Sequence, residues 1–144
     1  MEQATPLPYR ILLIEDAEPD VFLVREALES HRLHVDLCVL EDGEKAVDYI
    51  DRLEQNGAAA PHLCLLDLNL PRKSGDQVLE RLRQSARWKD VPVVILTSSD
   101  SPRDKAKASH YQVTEYFRKP SRLEDFMKLG ALVSRLLKSL PAQD

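Results

Sequence analysis

The feature that most constrains the fold of this chain is a short apolar run, Leu63–Leu66, that ends abruptly at the carboxylate of Asp67. Four apolar residues without alternation are too few for a helix and predict a strand that is buried on both faces. Such strands belong to parallel sheets covered by helices on both sides. Ligands of these sheets bind beyond the carboxyl ends of the strands, so Asp67 is predicted to point into a crevice.

Similar apolar runs alternate with helix-like segments along the whole chain. Strands are predicted at 10–14, 35–40, 63–66, 91–96 and 113–118, and helices at 19–30, 43–56, 75–84, 102–110 and 122–140. This alternation predicts an α/β fold with a doubly wound parallel sheet, and fold-level rules give the flavodoxin-like (βα)5 strand order 2-1-3-4-5. Glu18 and Asp20 are assigned to the positive end of the first helix. A length of 144 residues predicts one domain over 1–144, with a core at about 10–140 and short tails.

Composition excludes several classes of function. A formal net charge of -4 gives no general attraction to nucleic acid or to anionic lipid, so neither is expected as a partner. No apolar run approaches the length of a membrane span, and the start of the chain lacks the apolar core of a secretory signal, so a cytoplasmic location is expected. Cys38 and Cys64 lack the short spacing of a metal or redox pair and are predicted to be buried free thiols, about 9.5 Å apart across two strand spacings.

Chemistry-bearing residues stand at the carboxyl end of four of the five predicted strands. They are Glu15, Asp16, Asp67, Thr97 and Lys119. Like charges this close require a cation, and Mg²⁺ is the first choice because it accepts carboxylate oxygens and keeps positions open for water and a phosphoryl oxygen. A carboxylate beside Mg²⁺ and an ammonium can act as a nucleophile toward phosphorus.

Together with Asn69, Tyr116 and Pro120, these residues resemble the signature of the response-regulator receiver domain, the phosphoacceptor half of two-component signalling. The resemblance covers about residues 10–140. It implies a signalling protein in which Asp67 accepts a phosphoryl group that pairs with Lys119, and which catalyses only its own phosphorylation and dephosphorylation.

The resemblance also implies a metal site and a switch. The Mg²⁺ ligands would be the side chains of Asp16 and Asp67, the backbone carbonyl of Asn69, and Glu15 through a water molecule. Thr97 would serve as the switch hydroxyl, and Tyr116 as the switch aromatic residue.

The stretches EDAEPD, LDLNLPRKSG and YQVTEYFRKP further resemble stand-alone regulators that serve bacterial phytochromes and related sensor kinases. The implied partner is a sensor histidine kinase, and no effector domain is expected after the last helix. Apolar residues from 122 to 140 cover more than one helical face. Either the fourth helix or the carboxyl-terminal tail covers the excess, or the chain forms a homodimer through its last strand and helix, which the resemblance favours.

Two other functions are weighed against this one. A phosphohydrolase of the haloacid-dehalogenase type also attacks phosphorus with a strand-end Asp beside Mg²⁺, but it needs a second Asp two residues later, where this chain has Asn69. A cap domain and a late acidic pair, which would favour this hydrolase, are not expected in this sequence. A receiver-like binding module that is never phosphorylated is disfavoured because the set of site residues is complete.

Overall fold

A five-stranded parallel sheet in the order β2-β1-β3-β4-β5 forms the centre of the molecule, as predicted. The computed structural model describes residues 8–140. The strands are β1 (Tyr9–Ile14), β2 (Val35–Leu40), β3 (Leu63–Leu66), β4 (Val93–Thr97) and β5 (Glu115–Arg118). The helices are α1 (Glu18–Ser30), α2 (Gly43–Asn56), α3 (Gly75–Gln84), α4 (Pro102–His110), α5 (Leu123–Phe126) and α6 (Lys128–Lys138).

The central strands are unbroken runs of apolar residues because helices cover both faces of the sheet. Alternate residues of a strand point to opposite faces. In β1, Leu12 and Ile14 join the core formed with α2, α3 and α4, whereas Ile11 and Leu13 join the core formed with α1, α5 and α6. The edge strand β2 is only partly buried.

The two cysteines confirm the predicted strand order. Cys38 in β2 and Cys64 in β3 both lie opposite Leu12 of β1, so one complete strand separates them. Both are free thiols. Cys64 is buried as predicted, whereas Cys38 is half-buried because it lies in an edge strand.

Two strands begin later than predicted. Val91 lies outside β4 because its carbonyl accepts a hydrogen bond from the Arg83 guanidinium (3.0 Å) and its own N–H bonds back to the Trp88 carbonyl. Val113 lies outside β5 because its N–H bonds to the Ala108 carbonyl at the end of α4. Hydrogen bonds to groups outside the sheet therefore keep these two apolar residues out of the strands.

The last helix is divided at Met127, where one continuous helix was predicted. The N–H of Gly130 bonds to the Met127 carbonyl, a tighter turn than the α-helical pattern. Gly130 is seated against α1 so closely that a Cβ atom there would collide with the carbonyl of Ala27. The division therefore lies where the chain makes its closest contact with α1.

The final helix leaves less uncovered apolar surface than its composition suggests. Leu132, Leu136 and Leu140 are half-buried and pack against the core beside α1. Leu123 is 62% exposed, and Ala131 is also exposed. Among residues 8–140, no helix combines the length and apolar character that crossing a membrane requires.

Candidate functional site

The predicted site residues meet at the carboxyl edge of the sheet because their strands are neighbours. Glu15 follows β1, Asp67 follows β3, Thr97 ends β4 and Lys119 follows β5. Backbone hydrogen bonds continue past the strand ends: the N–H of Asp67 bonds to the Ile14 carbonyl (3.1 Å), and the N–H of Lys119 bonds to the Thr97 carbonyl (2.8 Å). The edge is therefore held in register up to the site itself.

The ammonium of Lys119 lies at the centre of the site. Its Nζ donates to Oε1 of Glu15 (2.5 Å), to Oδ2 of Asp20 (2.7 Å) and to Oδ2 of Asp67 (3.1 Å). The Lys119 side chain is only 11% exposed. These three contacts use all three donors of the ammonium group.

Asp20 is the site residue that sequence reasoning missed. Its position in the first turn of α1 fits the helix dipole, and α1 also starts at the same sheet edge that carries Glu15. A helix that begins directly beyond a strand end keeps its first turn near that end. This topological signal could have placed Asp20 beside Lys119.

Three carboxylates form a cluster that fits a divalent cation. Glu15, Asp16 and Asp67 each offer an oxygen, and these oxygens all lie within 4.8 Å of one another. Glu15 and Asp67 are buried, whereas Asp16 is exposed, so the cluster opens toward solvent on one side. All-oxygen ligands and an open side are what Mg²⁺ or a similar hard cation requires.

Burial and charge shift two ionisation equilibria in the site. Desolvation raises the pKa of Glu15 from its ordinary value of 4.5 to about 7, since the hydrogen bond from Lys119 offsets only part of the burial and the charge of Asp67 adds to the rise. Burial by itself lowers the pKa of Lys119, but its hydrogen bonds to Asp20 and Glu15 outweigh burial and raise that pKa above 10.5. Lys119 therefore stays cationic.

The predicted switch residues lie beside this cluster. Thr97 is fully buried, and its hydroxyl accepts hydrogen bonds from the Asn69 side-chain amide (3.4 Å) and from the Ser99 N–H (3.3 Å). Tyr116 is half-buried, and its hydroxyl donates to the Ser99 carbonyl (2.9 Å). The loop after β4 thus contacts both residues.

The loop after β3 is shaped by a close approach that only glycine permits. A Cβ atom on Gly75 would lie 2.5 Å from Cα of Leu68 and 2.8 Å from the Asp67 carbonyl oxygen. The Gly75 N–H bonds to the Leu68 carbonyl, and the Asn69 N–H bonds to Oδ1 of Asp67 (3.0 Å). The loop therefore folds back against Asp67 and fixes its carboxylate.

Comparison with known proteins identifies the family. The family model of the response regulator receiver domain matches residues 11–130. The chain belongs to the response regulator receiver family. As a receiver domain it is a signalling protein of the kind that interacts with histidine kinases.

One relative of this receiver domain, Rcp1, matches it over most of its own length. Response regulator Rcp1 of Synechocystis sp. is 37% identical over 123 residues, which are 85% of this chain and 84% of that protein. The crystal structure of the Mn²⁺-bound form of Rcp1 has a TM-score of 0.83 at 34% identity and covers 95% of this chain and 100% of that chain.

Two other solved structures are similar to this receiver domain. The phosphorylated cyanobacterial phytochrome response regulator RcpA has a TM-score of 0.82 at 30% identity, covering 94% of this chain and 97% of its own. Bacteriophytochrome response regulator RtBRR has a TM-score of 0.76 at 33% identity, covering 96% of this chain and 82% of its own. The flavodoxin-like fold of this receiver is thus shared with regulators named for phytochromes.

Proposed function

We propose that this chain is a single-domain response regulator whose Asp67 accepts a phosphoryl group from a histidine kinase. The observation that carries the proposal is the contact of Lys119 Nζ with Oδ2 of Asp67 (3.1 Å), beside a cluster of three carboxylates. All five strands of the described residues belong to one sheet, which supports residues 1–144 acting as one receiver domain. The exchange takes place in the cytoplasm, where ATP-dependent kinases act.

The proposed chemistry is a transfer between two side chains. A carboxylate oxygen of Asp67 attacks the phosphorus of a phosphohistidine, and the P–N bond breaks as the P–O bond forms. The electron pair of the broken bond stays on the imidazole nitrogen, which takes a proton from water. Lys119 remains protonated and donates to the phosphoryl oxygens, which stabilises charge in the transition state. The chain thereby catalyses only its own phosphorylation and later hydrolysis.

Mg²⁺ is the metal we propose for the carboxylate cluster. Asp16 and Asp67 would bind it by their side chains, Asn69 by its backbone carbonyl and Glu15 through a water molecule. The Mn²⁺-bound relative and the all-oxygen cluster support this set. When bound, the cation neutralises the charge of the transferring group.

We propose Thr97 and Tyr116 as the switch. The buried Thr97 hydroxyl accepts hydrogen bonds from Asn69 and Ser99, and a phosphoryl oxygen on Asp67 would offer the hydroxyl a charged acceptor to which it can donate. Movement of Thr97 would release its contact with the loop at Ser99, which also binds Tyr116. Tyr116 then fills the vacated space. Identical rotamers of both residues in phosphorylated and free structures would contradict this mechanism.

A phytochrome is the kinase that we propose as the partner. Two structural relatives, RcpA and RtBRR, are named as phytochrome response regulators, and both cover at least 94% of this chain. Phosphotransfer from a purified phytochrome kinase to this chain, compared with transfer from an unrelated histidine kinase, tests the pairing. Equal rates from both kinases would contradict it.

The decisive test of the phosphoacceptor is Asp67→Asn. This variant keeps the shape of the side chain and removes the anionic nucleophile, so labelling by acetyl phosphate with Mg²⁺ should vanish while the fold is retained. Asp48→Asn, at an exposed position of α2, is the matched control and should be labelled like the wild type. Labelling of Asp67→Asn would overturn the proposal, and rapid multiple turnover of phosphoesters by the wild type would favour the phosphohydrolase.

We also propose a homodimer through β5 and α6. The half-buried leucines Leu132, Leu136 and Leu140 form an incompletely covered apolar stripe that a two-fold contact can bury against its own copy. Light scattering at micromolar concentration, with and without phosphorylation, tests this assembly. A monomer under both conditions rules it out.

A further inference from the structure

Asp20 binds Lys119 but has no part in the metal cluster or in the switch. We propose that Asp20 is a positioning residue, which holds the Lys119 ammonium beside Asp67 while the other partners of Lys119 change. This inference rests on the proposed function, because it assigns a role within the phosphorylation of Asp67.

The contacts of Lys119 divide into one that can persist and two that must change. A Mg²⁺ ion held by the carboxylate cluster would draw on Glu15 and Asp67, two of the three partners of the ammonium. Phosphorylation of Asp67 then moves one N–H of Lys119 from the carboxylate to a phosphoryl oxygen. Asp20, which contacts Nζ at 2.7 Å and lies outside the metal cluster, keeps its place through both events.

The backbone of Asp20 is well anchored for this task. Its N–H bonds to the Ala17 carbonyl (3.0 Å) in the first turn of α1, and α1 is packed onto the sheet by Val24, Ala27 and Leu28. Lys119, in contrast, reaches the site through a long side chain with four rotatable bonds in its stem. An ionic contact from a rigid helix therefore restricts the Lys119 ammonium while its contacts with Glu15 and Asp67 change.

Asp20 and Glu18, which share the first turn of α1, differ in the solvent exposure and contacts of their side chains. The Asp20 side chain is 27% exposed, so it faces partly into the site, whereas Glu18 is exposed and has no ion-pair partner among residues 8–140. Glu18→Gln therefore removes the same charge from the same helix turn without touching Lys119. It is the matched control for Asp20→Asn.

The first measurement is the rate of phosphorylation by acetyl phosphate at saturating Mg²⁺. Asp20→Ala should slow the reaction by about tenfold, because misplacement of a catalytic group costs rate even when the group is present. Asp20→Asn should lose less, since its amide oxygen still accepts a hydrogen bond from Lys119. Glu18→Gln should match the wild type within about twofold.

The second measurement uses the metal-free protein and does not depend on activity. An ordered ammonium exchanges its protons slowly, so the ¹⁵N resonance of Lys119 Nζ should be observable in the wild type and in Glu18→Gln. It should be lost in Asp20→Ala and weakened in Asp20→Asn. If circular dichroism shows that Asp20→Ala does not fold, both measurements are made with the folded Asp20→Asn.

The outcomes separate this inference from the proposed function. A wild type that acetyl phosphate does not label overturns the proposed function. If the wild type is labelled and the Asp20 variants react at its rate, only the inference is overturned, whatever the resonance shows. A slower rate with an unchanged Lys119 resonance also overturns it, because Asp20 would then act by another route. A slower rate together with a lost or weakened resonance supports the positioning role.

Discussion

The raised pKa of Glu15 makes a quantitative prediction about the stability of the metal-free protein. Glu15 is 1% exposed, and its pKa is about 7 in the folded chain against 4.5 for an ordinary glutamate. Between these two pH values the folded state keeps a proton that the unfolded state has released, so stability is lost as pH rises through about 7. At about 1.36 kcal/mol per pH unit, the free energy of unfolding should fall by about 3 kcal/mol across the window.

Glu15→Gln isolates this contribution because glutamine does not titrate. The variant should therefore gain stability relative to the wild type as the pH rises. Its free energy of unfolding minus that of the wild type should increase by about 2 to 3 kcal/mol from pH 5 to pH 8. Urea titrations with EDTA, followed by the fluorescence of the single, fully buried Trp88, measure it. The control Glu26→Gln, at an exposed position of α1, should give a difference that does not change with pH.

A pH-independent difference for Glu15→Gln would refute the reasoning, because it would mean that Glu15 is ionised in the folded state as readily as in water. Mg²⁺ supplies a second check. The cation binds the folded state and favours ionised Glu15, so saturating Mg²⁺ should stabilise the wild type more at pH 8 than at pH 6.

Three further predictions concern the frame around the site. Gly75→Ala should destabilise the fold by about 1 to 3 kcal/mol and weaken Mg²⁺ binding, because the new methyl group presses on Leu68 and on the Asp67 backbone. Urea titration measures the loss of stability, and calorimetric titration with Mg²⁺ measures the loss of binding. Arg83→Met should lower the free energy of unfolding by about 2 to 3 kcal/mol, because the Arg83 guanidinium donates to four backbone carbonyls that lie before β4 and after α4. An unchanged midpoint in urea titrations would contradict this. Under non-reducing conditions the intact mass should correspond to two free thiols, and a mass lower by two hydrogen atoms, as oxidation to a disulfide would give, would contradict the spacing of Cys38 and Cys64.

The sequence predicted the sheet because its central strands carry an unambiguous pattern. Runs such as Leu63–Leu66 are apolar on both faces, and each ends at a polar residue, so both the burial and the location of the site follow from local sequence. The same logic brought Glu15, Asp67, Thr97 and Lys119 to one edge, where the structure places them.

Contacts between distant segments could not be predicted in the same way. Val91 is as apolar as a strand residue, but Arg83 takes its carbonyl out of the sheet. Met127 lies in a sequence that suits a continuous helix, and the division there accompanies the close contact of Gly130 with α1. Asp20 fits the preference for acidic residues in the first turn of a helix. That local pattern gives no indication of its ion pair with Lys119, which is 99 residues away.

The two cysteines give this chain intrinsic reporters of sheet dynamics. Cys64 is fully buried in a central strand, and burial raises the pKa of its thiol to about 12, so a thiol reagent can modify it only after the sheet opens. Cys38 is half-buried in β2, at the edge of the sheet, where local fraying is enough to expose it. Rates of modification at the two thiols therefore report separate free energies, one for loss of the edge strand and one for opening of the whole sheet, in a protein that needs no added label.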